Sequence, residues 1–229
     1  MSRIHFIGGE KGGVGKSMTA RLLAQYYIDN ELSFLGFDSD QSHGTFSRFY
    51  NEFASPVFLN EDDSLDSILE AVETSPTSDI IVDLAAQTSK RLGEWIEEAD
   101  VLGLLDELGH EVHLWHVMDD GADAVGLLEQ SLVRYSQPEV QFVVVMNLGR
   151  GENFSKFKET SAFENAKNRD AFFFELAKLQ TKLTQKIDFN NLSFWAAANN
   201  RSDMGIAERQ RAKVWLKRNY DQLDQLLKP

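Results

Sequence analysis

The sequence predicts an α/β fold: a mostly parallel central sheet with helices on both faces. Three observations carry this expectation. Apolar strand-like runs alternate with amphipathic helical runs over the first 150 residues or so, the pattern of successive βαβ units. The runs "DIIVDLA" and "VQFVVVMNL" are continuously apolar, as strands buried on both faces are. The glycine loop, "DSD", "VDLAAQ" and "MNLGRG" each fall at the carboxyl end of a predicted strand, where such sheets bind ligands.

Taken in order, "RIHFIG" reads as a strand. "SMTARLLAQYYID" reads as the helix after it, with Leu22, Leu23, Tyr26 and Tyr27 at helical spacing. "LSFLGFDSD" is a second strand ending in acids, and "SLDSILEAVE" a helix capped by Ser64. "DIIVDLA" is a third strand, followed by the helix "SKRLGEWIEEA". "VLGLLDEL" is too short for its periodicity to decide between helix and strand. "VHLWHVM" and "VQFVVVMNL" are strands, with the helix "ADAVGLLEQSLVRY" between them. After Gly151 the texture changes. The polar, Phe-rich stretch at about 152–188 predicts a helical excursion without a strand, whose Phe154, Phe157, Phe163, Phe172, Phe173 and Phe174 pack on the sheet or, alternatively, dock a partner. "LSFWAAANN" reads as a last strand plus loop, and "DMGIAERQRAKVWLKRNYDQLDQLL" as a closing helix. With no internal repeat and no low-complexity linker, residues 1–229 read as one domain.

Composition narrows the class. Hydrophobic residues make up 42% and charged residues 26% of the chain, as in a globular protein with a substantial core. The absence of cysteine excludes disulfides, thiolate zinc sites and cysteine-ligated iron–sulfur clusters. No apolar run approaches the roughly 20 residues that span a bilayer, and "MSRIHFIGG" lacks a signal-peptide pattern, so a cytoplasmic location is expected. The net charge of −13 is uneven: residues 1–149 hold 8 basic and 26 acidic side chains, residues 150–229 hold 15 and 10. That balance argues against an all-over nucleic-acid-coating surface and leaves a local basic face in the last third.

The chemistry concentrates in "GGEKGGVGKS", Gly8–Ser17. The common phosphate-binding pattern G-x-x-x-x-G-K-[ST] places its first Gly where this chain has Glu10. The mechanics survive that departure. Gly12, Gly13 and Gly15 let backbone N–H groups turn toward an anion, and the helix that follows adds its positive end. Lys16 can reach β- and γ-phosphates, and the Ser17 hydroxyl can ligate Mg²⁺. Histidines offer no second site. His5 and His43 stand apart, and His110, His113 and His116 on a strand point to alternating faces. No Ser-His-Asp arrangement stands out.

The run "KGGVGKS" resembles the deviant phosphate loop of the ParA/MinD family of ATPases, in which the residue before the signature lysine need not be Gly. The resemblance implies ATP and Mg²⁺ as ligands, with Gly12, Gly13, Val14, Gly15, Lys16, Ser17 and Met18 around the nucleotide. It also implies an ATP-dependent homodimer in which Lys11, the signature lysine, reaches the partner's phosphates, much as an arginine finger acts in trans. "FDSDQS" is similar to the family's D-x-D-P-Q segment without its proline, Ser42 following Gln41. By that match Asp40 orients the attacking water, and Asp38 supports the metal and the loop. Asp83 ends an apolar strand as a metal-holding acid. Ala85-Ala86 stand where the family often has two prolines, and Gln87 is a candidate near the γ-phosphate. Asn147 is the expected adenine contact, with Ala197–Asn199 as the other wall, against the alternative of a simple turn former. No Lys-x-Asp guanine signal accompanies it, which favours ATP over GTP.

Outside the loop, "HVMDDGADAVGLLEQSL" and "VVVMNLGRG" are most similar to conjugative-plasmid proteins of the TraL/MobD kind. The resemblance implies a slow, partner-stimulated ATPase switch in plasmid partition, mobilization or conjugative transfer, with a plasmid-related partner protein or non-specific DNA as the other party. Arg201, Arg209, Arg211, Lys213, Lys217 and Arg218 are candidates for a DNA-facing patch. Alternatively, and in preference, they are the solvated side of a closing helix whose apolar side is Leu216, Tyr220, Leu223 and Leu227. "DQLDQLLKP" is too acidic for a MinD-like membrane helix, so no stable membrane insertion is expected. Two rival functions are an ATP-dependent small-molecule ligase or synthetase and a non-hydrolysing, nucleotide-dependent scaffold.

Overall fold

The structure, a computed structural model, describes residues 2–40, 44–59 and 62–228. Gln41, Ser42 and His43, which the sequence reading touched, lie outside the described residues.

In chain order, β1 (Arg3–Gly8), α1 (Lys16–Asp29), β2 (Phe34–Asp38), α2 (Thr45–Phe49) and β3 (Ala54–Pro56) form the first part of the fold. They are followed by α3 (Asp62–Thr74), β4 (Asp79–Asp83), α4 (Ser89–Glu98), α5 (Val101–Glu107), β5 (Glu111–Met118), α6 (Ala122–Arg134) and β6 (Val140–Asn147). The remainder is α7 (Ser155–Lys158), α8 (Ser161–Asn168), β7 (Phe172–Leu176), α9 (Thr181–Phe189), α10 (Phe194–Asn199) and α11 (Ile206–Leu227). The strands make a seven-stranded sheet in the order β3-β2-β4-β1-β5-β6-β7, and every pairing is parallel.

Alternation along the strands divides the core in two. Ile4, Phe6, Leu114 and Met118 face one layer with α3 to α8. Ile7, Trp115 and Val117 face the other with α1, α2, α9, α10 and α11. The strand direction brings the glycine loop, Asp38, Asp83 and Asn147 to one edge of the sheet, the carboxyl edge.

Three local expectations are corrected. The Phe-rich excursion contains a strand: "FFFEL" forms edge strand β7, pairing Val143–Asn147 with Phe172–Leu176. Aromatic side chains suit a pleated, half-buried edge, and Phe174 and Leu176 are fully buried. "LSFWAAANN" is helix α10 rather than a strand. The Ser193 hydroxyl caps it by accepting the Ala196 N–H at 3.1 Å, and three alanines favour helix. Ser64 does not cap α3, which already runs from Asp62. Its hydroxyl accepts the Phe58 N–H at 2.7 Å instead. "VLGLLDEL" resolves as α5, with Val101, Leu102 and Leu105 buried.

The α1 layer of the core is not purely apolar. Trp115 Nε1 donates to His5 Nδ1 at 3.1 Å, and His5 Nε2 lies 2.9 Å from the Tyr27 hydroxyl. The Tyr27 hydroxyl donates to Asp79. The indole can only donate, so His5 Nδ1 must accept. The ring is therefore neutral, with its proton on Nε2 facing Tyr27. Burial pushes the His5 pKa well below the ordinary histidine range. His113, packed edge-on against His5 at 4.9 Å, and His116 on the opposite face are both pushed down to about 4 by burial.

Bases whose folded pKa is depressed leave stability intact above the unfolded value near 6.5, and stability falls as pH drops toward 4, because the unfolded chain binds the protons. Thermal melts should therefore show the melting temperature falling across pH 6.5 to 4. His5→Gln, which keeps a donor and an acceptor, should make that fall shallower by up to one proton's worth of slope.

Candidate functional site

The loop after β1 is shaped by two left-handed glycines, Gly13 (φ 77°) and Gly15 (φ 108°). At Gly15 the need is doubled: a Cβ there would lie 2.3 Å from Asn147 Nδ2. Asn147, at the end of β6 and 2% exposed, donates from Nδ2 to the Val14 carbonyl at 2.6 Å. Its Oδ1 accepts the Gly149 N–H at 2.9 Å. Both ends of the amide are committed to backbone. These two bonds clamp the loop to β6, and each uses one of the amide's two N–H donors or one of its two oxygen lone pairs. Val14 is correspondingly buried, offering its carbonyl to Asn147 rather than its side chain to a ligand.

Gly12, Gly13, Gly15, Lys16, Ser17, Met18 and Asp40 line one pocket of about 420 Å³, together with Thr184, Ile187 and Asp188 of α9 and Phe194 of α10. The opening of α1 at Lys16 turns its first N–H groups into this pocket, as an anion-binding helix start does. Lys16 is 8% exposed and donates from Nζ to the Lys11 carbonyl at 3.1 Å. Burial lowers its pKa, opposed by the carboxylates of Asp83, Glu10 and Asp40. The α10 wall is Phe194, not the expected Ala197–Asn199; Ala197 and Ala198 are turned into the core.

The two strand-end acids differ. Asp38 accepts the Asp40 N–H on Oδ1 at 3.0 Å, and on Oδ2 the Ser47 N–H at 2.8 Å and the Ser47 hydroxyl at 3.0 Å. It shapes the loop that carries Asp40. Its support of the loop is thus direct, through three hydrogen bonds. Asp83 is the opposite case. It is 1% exposed, and although the Ser17 hydroxyl bears on it, neither of its oxygens closes a hydrogen bond of good geometry. Burial pushes its pKa up to about 8. A buried carboxylate without partners is costly unless a cation meets it. Ser17 and Asp83 therefore fit a divalent ion. Among the described residues no three His, Asp or Glu side chains converge to cage a metal. An ion held by Ser17 and Asp83 would take its other ligands from phosphates and water, the habit of Mg²⁺.

Lys11 is held within its own chain, its Nζ 2.6 Å from Asp119 Oδ2 just past β5. Asp119 is itself oriented by the Gly121 N–H on Oδ1 at 3.1 Å. Arg21 is the residue that sequence reading missed. Its guanidinium lies 3.5 Å over the Phe49 ring and 4.8 Å from that of Phe194, and it donates to Asp188 at 3.0 Å. It thereby bridges α2, α9 and α10 at the pocket wall, and an arginine among the buried positions of "TARLLAQYY" was the available signal. Arg150 also lines the pocket.

The strand order, the glycine loop opening α1 and the strand-end acids build an all-parallel α/β fold that is also the fold of MinD proteins. The septum site-determining protein MinD of Pyrococcus horikoshii, solved with Mg-ADP, superposes with a TM-score of 0.56 at 11% identity, covering 98% of both chains. In sequence the chain is similar to protein TraL of Escherichia coli, 29% identical with 98% of each chain covered. It is also similar to MobD of Acidithiobacillus ferrooxidans, 27% identical over 73% of this chain and 71% of that one. No family model matches the sequence.

Two outcomes follow from the geometry. Asn147→Ala leaves a buried carbonyl and N–H unpaired, and chemical denaturation should show a loss of about 2 kcal/mol. For Asp83, an acid whose folded pKa is raised loses the fold stability as pH rises from about 4 to about 8. Melts without divalent ions should show wild type falling relative to Asp83→Asn across that window, with the two converging below it.

Proposed function

We propose that the chain is a Mg²⁺-dependent, ATP-binding switch of the ParA/MinD type that hydrolyses ATP slowly, dimerises on ATP, and serves plasmid mobilization or conjugative transfer. The observation that carries this reading is the buried Asp83 carboxylate behind Ser17 and Lys16, which the Ser17 hydroxyl approaches without a hydrogen bond of good geometry, because it suits a cation-bearing polyphosphate at the start of α1. The Mg-ADP of the P. horikoshii protein and the similarity to TraL and MobD support it.

In this reading the N–H groups of Gly12 to Ser17 cradle the phosphates, and Lys16 exchanges its contact with the Lys11 carbonyl for phosphate oxygens. Mg²⁺, when bound, neutralises charge developing on the transferred phosphoryl group. Asp40 orients the attacking water from the loop that Asp38 braces. Lys11 leaves Asp119 and crosses to the phosphates of a second copy. Met18 and Arg150 flank the nucleoside end of the pocket, with Asn147 acting through the loop. The exposed Arg201, Arg211, Lys213, Lys217 and Arg218 supply a cationic face for DNA or an acidic partner, while Leu216, Leu223 and Leu227 of the same segment are buried.

Light scattering with Mg²⁺ and ADP, ATP or a non-hydrolysable analogue tests the switch. ATP and the analogue should give a dimer that ADP does not, Lys11→Ala should abolish it, and Asp40→Ala should hold it without turnover. Binding of ATP with no change in size would refute the dimer. Retention of full Mg²⁺-dependent nucleotide affinity in Asp83→Asn would refute the metal assignment.

A further inference from the structure

The phosphate pocket lies at the first turn of α1; a second cavity, of about 490 Å³, lies beside the last turn. Its walls come from that turn, from the end of α2 and the residues after it, and from the start of α10. The helix rises about 18 Å from Lys16 to Ile28, so this cavity stands apart from the nucleotide reading. Its size is that of small-molecule sites. The walls are aromatic. Trp195 is 55% and Phe53 39% exposed, and Tyr50 is buried at the floor. The Phe53 ring is stacked on Phe34 at 5.4 Å, which covers one of its faces.

Charge decides what such a cavity takes. Among the described residues no lysine, arginine or histidine lines it, and two acids do, Asp29 and Glu52. Asp29 accepts the Gln25 amide on Oδ1 at 2.9 Å and the Tyr220 hydroxyl on Oδ2 at 2.8 Å. Both donors are neutral and leave its charge uncompensated. Glu52 is exposed and has no hydrogen bond or ion pair among the described residues. Two arginines stack on the neighbouring Phe49 ring. Arg21 is paired with Asp188 at 3.0 Å. Arg48 is exposed, and even counted in full it leaves the two acids in excess. Hydrogen bonding narrows the ligand further. Gln25 Oε1 accepts the Tyr50 hydroxyl and the Trp195 N–H, each at 3.0 Å, which uses both of its lone pairs. The floor therefore offers negative charge and ring surface, and few vacant acceptors.

We propose that the cavity beside the last turn of α1 is a second binding site, for a methylated ammonium head, with Trp195 and Phe53 as the rings that face the head and Asp29 and Glu52 as its counter-charges. A cation without N–H groups binds through the ring quadrupole and through charge, and both are present here. A primary ammonium brings three donors that must be met once it leaves water, and a floor already bonded within itself does not meet them. The Phe49 ring, with two guanidinium groups over it, shows the same attraction satisfied within the chain.

The test uses the full chain without nucleotide and three probes at constant ionic strength: choline, its neutral isostere in which a tert-butyl group replaces the trimethylammonium, and ethanolamine. Calorimetric titration should show saturable binding of choline, with the isostere and ethanolamine each weaker by about tenfold. Acrylamide quenching of tryptophan fluorescence locates the site, because Trp95, Trp115 and Trp215 are buried and Trp195 is exposed. Choline should protect Trp195 from the quencher. Trp195→Leu and Glu52→Lys should each weaken choline binding about tenfold with the melting temperature unchanged, since both side chains are exposed. The proposal is overturned by no saturable binding of choline, by equal binding of the isostere or of ethanolamine, by binding that leaves Trp195 open to quenching, or by choline binding unchanged in both variants. A capped trimethyllysine separates the two sources of such a head: tighter binding than choline marks a modified side chain of a partner, weaker binding a free small molecule.

Discussion

One buried amide holds the phosphate loop in place. Asn147 joins the Val14 carbonyl to the turn after β6, and the left-handed Gly15 exists in contact with it, since any Cβ there would collide with the amide nitrogen. The consequences spread from this contact. It fixes where α1 begins, and so the direction of the first free N–H groups. It sets the depth at which Lys16 is buried, and so the company it keeps with Asp83. A loop of glycines is entropically expensive to order. A bidentate clamp from the end of a central strand makes that order inexpensive to maintain without filling the concave side where an anion sits.

Much of this was legible in the sequence, because the informative residues obey local rules. Glycines flanking Lys16 and Ser17 between an apolar run and an amphipathic one admit few readings, and continuous apolar runs mark the buried strands. What escaped depends on tertiary partners. β7 is a strand because β6 offers it an edge, while the charged helical segments around "FFFEL" masked its local preference. The alanines of α10 read as part of a strand because their neighbours are apolar, yet Ser193 and the space beside α1 make a helix the better solution. Asn147 was visible as a strand-ending polar residue, but its partner lies 133 positions away. The same applies to Asp38, whose carboxylate turns to Ser47 rather than outward. Local pattern identifies the groups that will meet at the carboxyl edge; only packing decides which of them face the pocket and which brace it.

Arg21 shows how the two halves of the pocket are joined. A guanidinium in the core is tolerated when its faces stack on aromatic rings and its edge meets a carboxylate. Phe49, Phe194 and Asp188 provide these from three different helices. Two of its nitrogens remain without partners, so the arrangement is not the most stable way to fill that space. Its effect is to tie α2, α9 and α10 to α1 through one side chain.

Lys11 is where loop, charge and assembly meet. Its ammonium group is paired with Asp119 of the same chain. The pair is partly exposed, and exposed pairs are weakly held and screened by salt. A polyphosphate presents more negative charge than one carboxylate, so in the proposed dimer the exchange would run toward the phosphates of a second copy. The first 149 residues are strongly acidic, which opposes the approach of two like faces. Lys11, Lys16 and Arg150 are cations of the chain at that edge. In the proposed dimer, the negative charge of a loaded site is what draws Lys11 from Asp119, so the phosphates and not a shape change transmitted over distance supply the attraction across the edge.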